Sequence, residues 1–346
     1  MAVNVLAPWL LALVAVTPPA TPAPTALVAD TAPVRDATMR TAAIQRAVQL
    51  AERAARNYPS HRTCFACHHQ TFPLLAQSAA RRRGLSIDTP TWDASLRFTR
   101  DWFQGRKEVL SRGGRVDGRA ITVAYGLWTL ALTEQPADEL SDALVANLLQ
   151  TQHAAGYWEP EALRPPAEES KVFVTALALR GLAVYGQRAG LAPVQTAREQ
   201  ALRWLASAPL VSLDDHAGRL LAAHWTSPPH DPPTPDSPHA VPRWRQALRD
   251  RQRPDGGWAQ LPDMESDAYA TGLALWSLAE AGEATSAETY ARGVDYLLTT
   301  QKPDGSWHVV SRCDPVQTFF DNGDPHGEDQ FLSLMATCWS AAALAR

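Results

Sequence analysis

The amino-acid sequence predicts an all-α protein in which about six inner helices form a ring and about six outer helices surround it. A motif of Gln, Gly and Trp recurs along the chain at intervals of one or two units of about fifty residues. Between the motifs, amphipathic segments alternate with segments that are almost wholly apolar. With 346 residues, of which 45% are hydrophobic, the chain is long enough to bury a large core.

The recurring motif marks the end of an outer helix. In each copy a Gln precedes a Trp by six residues and a Gly lies between them, at Gln152–Trp158, Gln252–Trp258 and Gln301–Trp307. The Gly permits the left-handed geometry that ends a helix, and an Asp-Gly pair in the last two copies favours a turn. We expect the Trp to cover this turn and the Gln amide to bind unpaired groups at the helix end. The motifs are therefore predicted to be structural clamps.

The same alternation of helices extends to both ends of the chain. The outer helices are predicted at residues 38–55, 96–110, 144–149, 197–205, 244–248 and 294–298. The inner helices are predicted at residues 72–80, 120–132, 172–184, 217–225, 268–278 and 332–344. Helices that are apolar on nearly all sides are buried, so the second set forms the inner ring. Four inner helices carry a Trp, at Trp128, Trp225, Trp276 and Trp339. The inner helix at 172–184 has none, and Arg180 lies near the corresponding position.

On these motifs the chain resembles the α/α-toroid superfamily, which includes squalene–hopene cyclases and the β-subunits of protein prenyltransferases. The resemblance covers about residues 38–346. It implies an α/α toroid whose ligand cavity lies inside the ring, near the N-terminal ends of the inner helices. A hydrophobic small molecule is the class of ligand that it implies. A toroid hosts several chemistries, so the fold alone does not decide the function.

The catalytic residues of these families are only partly present. Squalene–hopene cyclases carry an Asp-rich motif whose clustered carboxylates adjust the pKa of the protonating Asp. Asp267 matches the last Asp of that motif, but Ser266 aligns with the protonating one. Asp267 also matches the Asp that binds zinc in the prenyltransferases, where Tyr269 and Ala336 replace the Cys and the His. Asp267 is the candidate catalytic residue that remains, and helix capping is the alternative interpretation.

Cys64, Cys67 and His68 form a Cys-x-x-Cys-His motif, which is typical of covalent attachment of haem c. Two thiols add to the vinyl groups of haem, and the following His binds the iron. The motif directly precedes the first inner helix, so a haem bound there is expected at the mouth of the ring cavity. Two alternatives remain open, namely a disulfide between the cysteines and a metal site that includes His68 and His69.

A second axial ligand has to come from elsewhere in the chain, or else the iron site is open. His326 precedes the last inner helix, which adjoins the first if the ring closes, and it is the leading candidate to bind the iron opposite His68. His216 at the start of the fourth inner helix, across the ring, is the second candidate, and Met335 lies further down the last inner helix. The polar, turn-rich segment 319–330 is either a lid over the cavity or a well-capped connection.

Other polar and sulfur-bearing residues receive structural interpretations. Cys313 and Cys338 are isolated and are expected to be small buried hydrophobes. Asp214 and Asp215 start the fourth inner helix and are interpreted as first-turn carboxylates stabilised by the helix dipole. The Pro-rich stretch 228–242 is predicted to be a long surface loop.

The N-terminal residues predict an exported protein. An apolar run at residues 5–16 has the length of a secretory h-region and is short for a membrane span. Residues 1–23 are therefore predicted to be a signal peptide and residues 24–37 a Pro-rich linker, with an uncleaved anchor or a disordered tail as the alternative. The predicted location is periplasmic or extracellular, with no integral membrane domain after cleavage. A net charge of −4 gives no electrostatic basis for binding nucleic acid.

Two functional hypotheses follow from the sequence. The first is an exported toroid that carries a covalent c-type haem at the mouth of an apolar cavity and transfers electrons with a redox partner. The alternative is a terpenoid cyclase-like or prenyltransferase-like enzyme, or a non-catalytic protein that binds a hydrophobic ligand, with structural cysteines. The intact Cys-x-x-Cys-His motif favours the first, and the incomplete catalytic motifs count against an enzyme of the second kind.

Overall fold

The computed structural model describes residues 32–161, 164–227, 240–314 and 318–346. The predicted signal peptide, the linker up to residue 31 and most of the predicted loop at 228–242 lie outside these ranges. Within them the protein is all-α, as predicted, and the only β-type pairings are two isolated bridges. No helix in the described ranges is both long and apolar enough to cross a membrane.

Inner and outer helices alternate along the chain. In chain order the α-helices are α1 (Ala32–Asn57), α2 (Thr71–Arg82), α3 (Thr89–Gln104), α4 (Lys107–Ser111), α5 (Ala120–Leu132), α6 (Glu139–Thr151), α7 (Lys171–Tyr185), α8 (Leu191–Ser207), α9 (Leu213–Thr226), α10 (Val241–Arg249), α11 (Ala268–Glu280), α12 (Glu288–Thr300) and α13 (Gln330–Leu344). The inner ring consists of α2, α5, α7, α9, α11 and α13. Each inner helix packs against the next, and α13 packs against α2, which closes the ring.

All six outer helices begin three to seven residues before their predicted starts, and the second one is also interrupted. The first one begins at Ala32, six residues before its predicted start, so it includes the end of the predicted linker. The second ends at Gln104 and resumes as the short α4. Gly105 lies at this break, and Gly is a poor helix former because it loses the most backbone entropy on folding.

Each Gln–Gly–Trp motif joins an outer helix to the inner helix that follows it. The Trp indole N–H donates to a carbonyl in the last turn of the preceding outer helix, at Leu148 (2.8 Å), Leu248 (2.9 Å) and Leu297 (3.0 Å). The Trp backbone N–H donates to a Thr hydroxyl on the inner helix, at Thr175, Thr271 and Thr337. The Trp, and not the Gln as predicted, therefore binds the helix-terminal group.

The Gln of each motif binds the next outer helix instead. Its amide donates to the carbonyl of the motif Gly and to a carbonyl of the following outer helix, at Ala197 in α8, Thr289 in α12 and Ala43 in α1. The third copy thus ties the end of α12 to the first helix of the chain. This bond closes the outer ring.

The motif glycines are required by both backbone geometry and packing. All three have positive φ, between 88° and 106°. A Cβ on Gly256 would lie 2.5 Å from the Arg292 carbonyl oxygen, and Gly156 and Gly305 approach the backbone of the next outer helix just as closely. These glycines therefore set the spacing between consecutive outer helices.

Aromatic side chains fill the centre of the ring. The indoles of Trp128, Trp276 and Trp339 lie within 5.2–5.8 Å of one another, measured between ring centroids. Phe72 packs 5.3 Å from Trp339, edge to face. We call these four side chains the aromatic plug. The plug separates a cavity at the N-terminal ends of the inner helices from a smaller one at their C-terminal ends.

We predict that Gly256→Ala destabilises the protein by on the order of 3 kcal/mol, because a left-handed Ala is strained and its methyl group overlaps the Arg292 carbonyl. Gly323→Ala is the matched control, since Gly323 has a similar φ of 89° and no atom lies within 4 Å of the position that an added methyl group would take. It is expected to cost about 1 kcal/mol. Chemical denaturation measures both, and equal losses would contradict the packing argument.

Candidate functional site

A cavity of about 440 Å³ opens at the N-terminal ends of the inner helices. Its lining, more apolar than polar, includes Cys67, His68, Arg164, Glu168, Phe331 and Met335. A neighbouring cavity of about 210 Å³ is lined in part by Tyr58, Cys64 and Tyr125. The two cavities share Cys67, His68, Arg164 and Glu168 as a common wall. The Cys-x-x-Cys-His segment therefore lies at the mouth of the ring, as predicted from its place in the sequence.

Local hydrogen bonds hold the Cys-x-x-Cys-His segment in a tight turn that leads into α2. The Ala66 carbonyl accepts from the backbone N–H groups of His69 and Gln70, and the Gln70 side chain returns to the Ala66 N–H. Both cysteines are free thiols. Cys64 is exposed, with Sγ 3.1 Å from the Tyr58 hydroxyl, whereas Cys67 is buried, with Sγ 3.7 Å from Glu168. One thiol thus faces solvent while the other faces the cavity.

His68 is half-buried in the wall between the cavities, and its Nε2 is a buried atom that has no hydrogen-bond partner in the described part of the protein. Burial, together with the nearby Arg164 guanidinium, lowers the pKa of His68 to about 3. The imidazole is therefore neutral at physiological pH, and this is the form that binds metals. Phe331 from α13 packs against the ring at 4.8 Å.

His69 is fixed away from the cavity. Its ring stacks on Tyr58 at 4.2 Å, and the Asn322 amide lies 3.0 Å from its Nε2. No group of three or more His, Cys, Asp or Glu side chains suited to a metal ion occurs among the described residues. The alternative metal site that includes His68 and His69 therefore has no third His, Cys, Asp or Glu ligand among the described residues.

The candidates for a second axial ligand are separated by the fold. Met335 lines the same cavity as His68. His326 lines neither cavity next to His68, because its Nε2 lies 2.8 Å from the Ser306 hydroxyl and its ring stacks on His308 at 4.7 Å. His216 is buried at the start of α9 and is likewise absent from both linings. The structure brings Met335, and neither histidine, to the cavity of His68.

The segment 319–330 has the second of its two predicted roles, that of a well-capped connection. It is well capped, since Gln330 donates to the Phe320 carbonyl at 2.6 Å and accepts from the Asn322 N–H at 2.9 Å. It also forms part of the cavity wall, through Phe319 and Asp329 among others. The segment therefore acts as a fixed wall of the cavity.

Asp267 is the N-cap of α11. One carboxylate oxygen accepts from the Ala270 N–H at 2.8 Å and the other from the Gln260 amide at 2.8 Å. Burial raises the pKa of Asp267 to about 6. The residue lies at the N-terminal end of an inner helix, as predicted, but it is not among the residues that line the cavity. Its contacts are those of a capping residue.

The cavity positions of Cys313 and Glu168 were not predicted from the sequence. Cys313 is partly exposed and lines the cavity, so its prediction as a buried hydrophobe is wrong, whereas Cys338 is buried as predicted. Glu168 lies in the connection before α7, which carries no catalytic motif. Burial raises the pKa of Glu168, although Arg164, 3.5 Å away, opposes the shift. A cavity-facing carboxyl group of this kind is recognised only once the fold is known.

Asp214 and Asp215 have different roles at the start of α9. Asp215 completes a capping box with Ser212, as a first-turn carboxylate should. Asp214 is buried, accepts a hydrogen bond from the Tyr269 hydroxyl at 2.8 Å, and has one oxygen without a partner in the described structure. Burial raises the pKa of Asp214 to about 7.

Solved structures share the fold of this chain. No protein-family model matches it. The type II terpene cyclase MstE from Scytonema is 14% identical, with a TM-score of 0.53 over 89% of this chain and 98% of that one. A protein from Actinoplanes is 16% identical, with a TM-score of 0.51 over 88% and 98%. A glycosidase is 12% identical, with a TM-score of 0.50 over 87% and 96%. At such low identity the similarity establishes the α/α-toroid fold.

We predict that Asp214→Asn stabilises the protein, relative to the parent, by roughly 2 kcal/mol more at pH 8 than at pH 5. Because the pKa of Asp214 is raised by folding, the folded state holds the proton more tightly, and the parent loses stability as the pH rises toward 7. Denaturant unfolding at both pH values measures the difference.

Asp138→Asn is the control for this prediction. Although burial opposes the shift, Arg100 and the N–H groups of its helix cap lower the pKa of Asp138, so this carboxylate is ionised in both states between pH 5 and 8. Its effect on stability is expected to be the same at the two pH values. An Asp214→Asn effect that is equally independent of pH would contradict the assignment of a buried, proton-binding Asp214.

Proposed function

We propose that the cavity at the N-terminal mouth of the ring holds a c-type haem attached through Cys64 and Cys67, with His68 as an iron ligand, and that the protein transfers electrons after export. The observation that carries this proposal is the buried Nε2 of His68, which has no partner among the described residues and lies in a cavity wall. A buried nitrogen without a hydrogen bond is costly, and a metal bond would compensate for it.

The other residues of the cavity suit this group. Met335 lines the same cavity as His68 and offers a thioether, which is the second axial ligand of many haem proteins. The Arg164 guanidinium lines both cavities and has an Nε without a partner in the described structure, so it can pair with a haem carboxylate. Bound iron would supply one-electron chemistry. Cys64 is exposed, so a haem attached through it would have one edge toward solvent, where electron transfer to a partner would take place.

We predict that the protein, exported in a bacterium with c-type haem maturation machinery, gains the mass of one haem and shows the Soret and α bands of a low-spin haem c. Met335→Leu is expected to convert the spectrum to high spin, because the thioether is removed from the cavity of His68. His326→Ala is the control and should leave the spectrum unchanged, since Ser306 and His308 hold that ring elsewhere. Colourless protein with the two thiols joined in a disulfide would refute the proposal.

A second candidate function, acid-initiated chemistry on a hydrophobic ligand, is favoured by Glu168. This carboxyl group is half-buried at the wall of a largely apolar cavity, and burial raises its pKa, which is the direction of shift that a general acid needs. The toroid is also the fold of MstE, which has been solved in complex with geranylgeranyl dihydroxybenzoate. In this case the cysteines are structural. If the protein catalyses no reaction, the cavity is a binding site for an apolar molecule.

Incubation of the protein with geranylgeranyl dihydroxybenzoate separates the two candidates. We expect no cyclised product, because Asp267, which matches the cyclase motif, is engaged as a helix cap and is not among the residues that line the cavity. Mass spectrometry of the extracted lipid measures the outcome. Product formation that is lost in Glu168→Gln and retained in Asp267→Asn would establish the second candidate and overturn the first.

A further inference from the structure

A second cavity, of about 140 Å³, lies at the opposite mouth of the ring, where the inner helices end. Two indoles of the aromatic plug, Trp128 and Trp276, contribute to its wall together with Leu75 and Leu132. The aromatic plug separates this cavity from the one next to His68. A ligand here is therefore independent of the proposed haem.

The polar part of this lining is predominantly cationic. It contains the guanidinium groups of Arg82, Arg180 and Arg346 and a single carboxylate, Glu280. Glu280 pairs with Arg346 and accepts a hydrogen bond from the Trp225 indole at 3.1 Å. Of the three positive charges, only that of Arg346 is therefore neutralised by an ion pair within the lining.

The two remaining guanidinium groups make no ion pair in the described ranges, although the charge of Arg180 helps to lower the pKa of Glu280. Arg82 donates to the backbone and the hydroxyl of Ser78, one turn earlier in α2, which is the role of a cation near a helix C-terminus. Arg180 lies over the ring of Trp225, with 5.4 Å between its Cζ and the ring centroid, and it makes no hydrogen bond or ion pair within the described ranges. Helix capping accounts for Arg82 but not for Arg180.

We propose that this second cavity binds a small organic carboxylate, with its carboxylate group on Arg180 and Arg82 and its apolar body against Trp128 and Trp276. A guanidinium group pairs with a carboxylate through two parallel hydrogen bonds, which makes Arg180 a suitable anchor. The apolar half of the lining favours an organic anion over an inorganic one. At about 140 Å³ the cavity admits only a ligand well below drug size.

Titration calorimetry with benzoate tests the proposal. We expect saturable binding of benzoate and much weaker binding of benzyl alcohol, which keeps the ring but lacks the charge. Arg180→Gln is expected to weaken benzoate binding about tenfold or more, whereas Arg180→Lys retains part of the affinity. The control is Arg188→Gln, since Arg188 pairs with Asp142 at 2.9 Å outside this cavity, and it should bind as the parent does.

Glu280→Gln gives a test of opposite sign. It removes the one carboxylate that competes for the arginines, so benzoate should bind several-fold more tightly. A merely structural effect of these substitutions would weaken binding in every variant, and thermal unfolding of each variant verifies that it is folded. The proposal is overturned if benzoate does not saturate below about 10 mM, if benzyl alcohol binds equally well, or if Arg180→Gln binds as the parent does.

Discussion

The rest of the structure depends on closure of the ring, in which the last repeat packs against the first and a hydrogen-bonded clamp joins the outer helices. The Gln301 amide donates to the carbonyl of Ala43, 258 positions away in sequence, while Gly305 allows the turn to approach Arg46. Earlier copies of the motif join neighbouring outer helices, but this copy closes the ring. As a result the connection that follows it comes to lie beside the Cys-x-x-Cys-His segment. The Arg62 side chain then binds the Thr318 carbonyl, and Asn322 reaches His69.

Ring closure assembles the candidate site, and the aromatic plug limits its depth. His68 comes from the start of the inner ring and Met335 from its last helix, so they share a cavity only because α13 packs against α2. Trp128, Trp276 and Trp339 fill the centre of the ring, where a deep hydrophobic channel would otherwise run through it. The plug therefore separates the cavities beside the sulfur and imidazole side chains from the cavity lined by arginines.

The sequence alone predicts the order of the helices, but it predicts only part of the candidate site. The order of the helices follows from local hydrophobic periodicity. The three Trp motifs are recognisable because each makes the same contact with the preceding outer helix. The partners of His326 are different, because Ser306 and His308 lie in an irregular connection whose path is set by long-range packing. Glu168 and Cys313 also lie in irregular connections, so no sequence pattern predicts that they line the cavity.

The central proposal is that the cavity to which ring closure brings His68 and Met335 holds one covalently attached haem, whose iron these two residues would bind. The most direct test is a crystal structure of the protein matured in the periplasm, with anomalous data collected at the iron edge. We expect one iron peak in the cavity, bonded to Nε2 of His68 and Sδ of Met335, with thioether density at Cys64 and Cys67. A structure without an iron peak, with a disulfide between the two cysteines and an apolar molecule in the cavity, would contradict this claim.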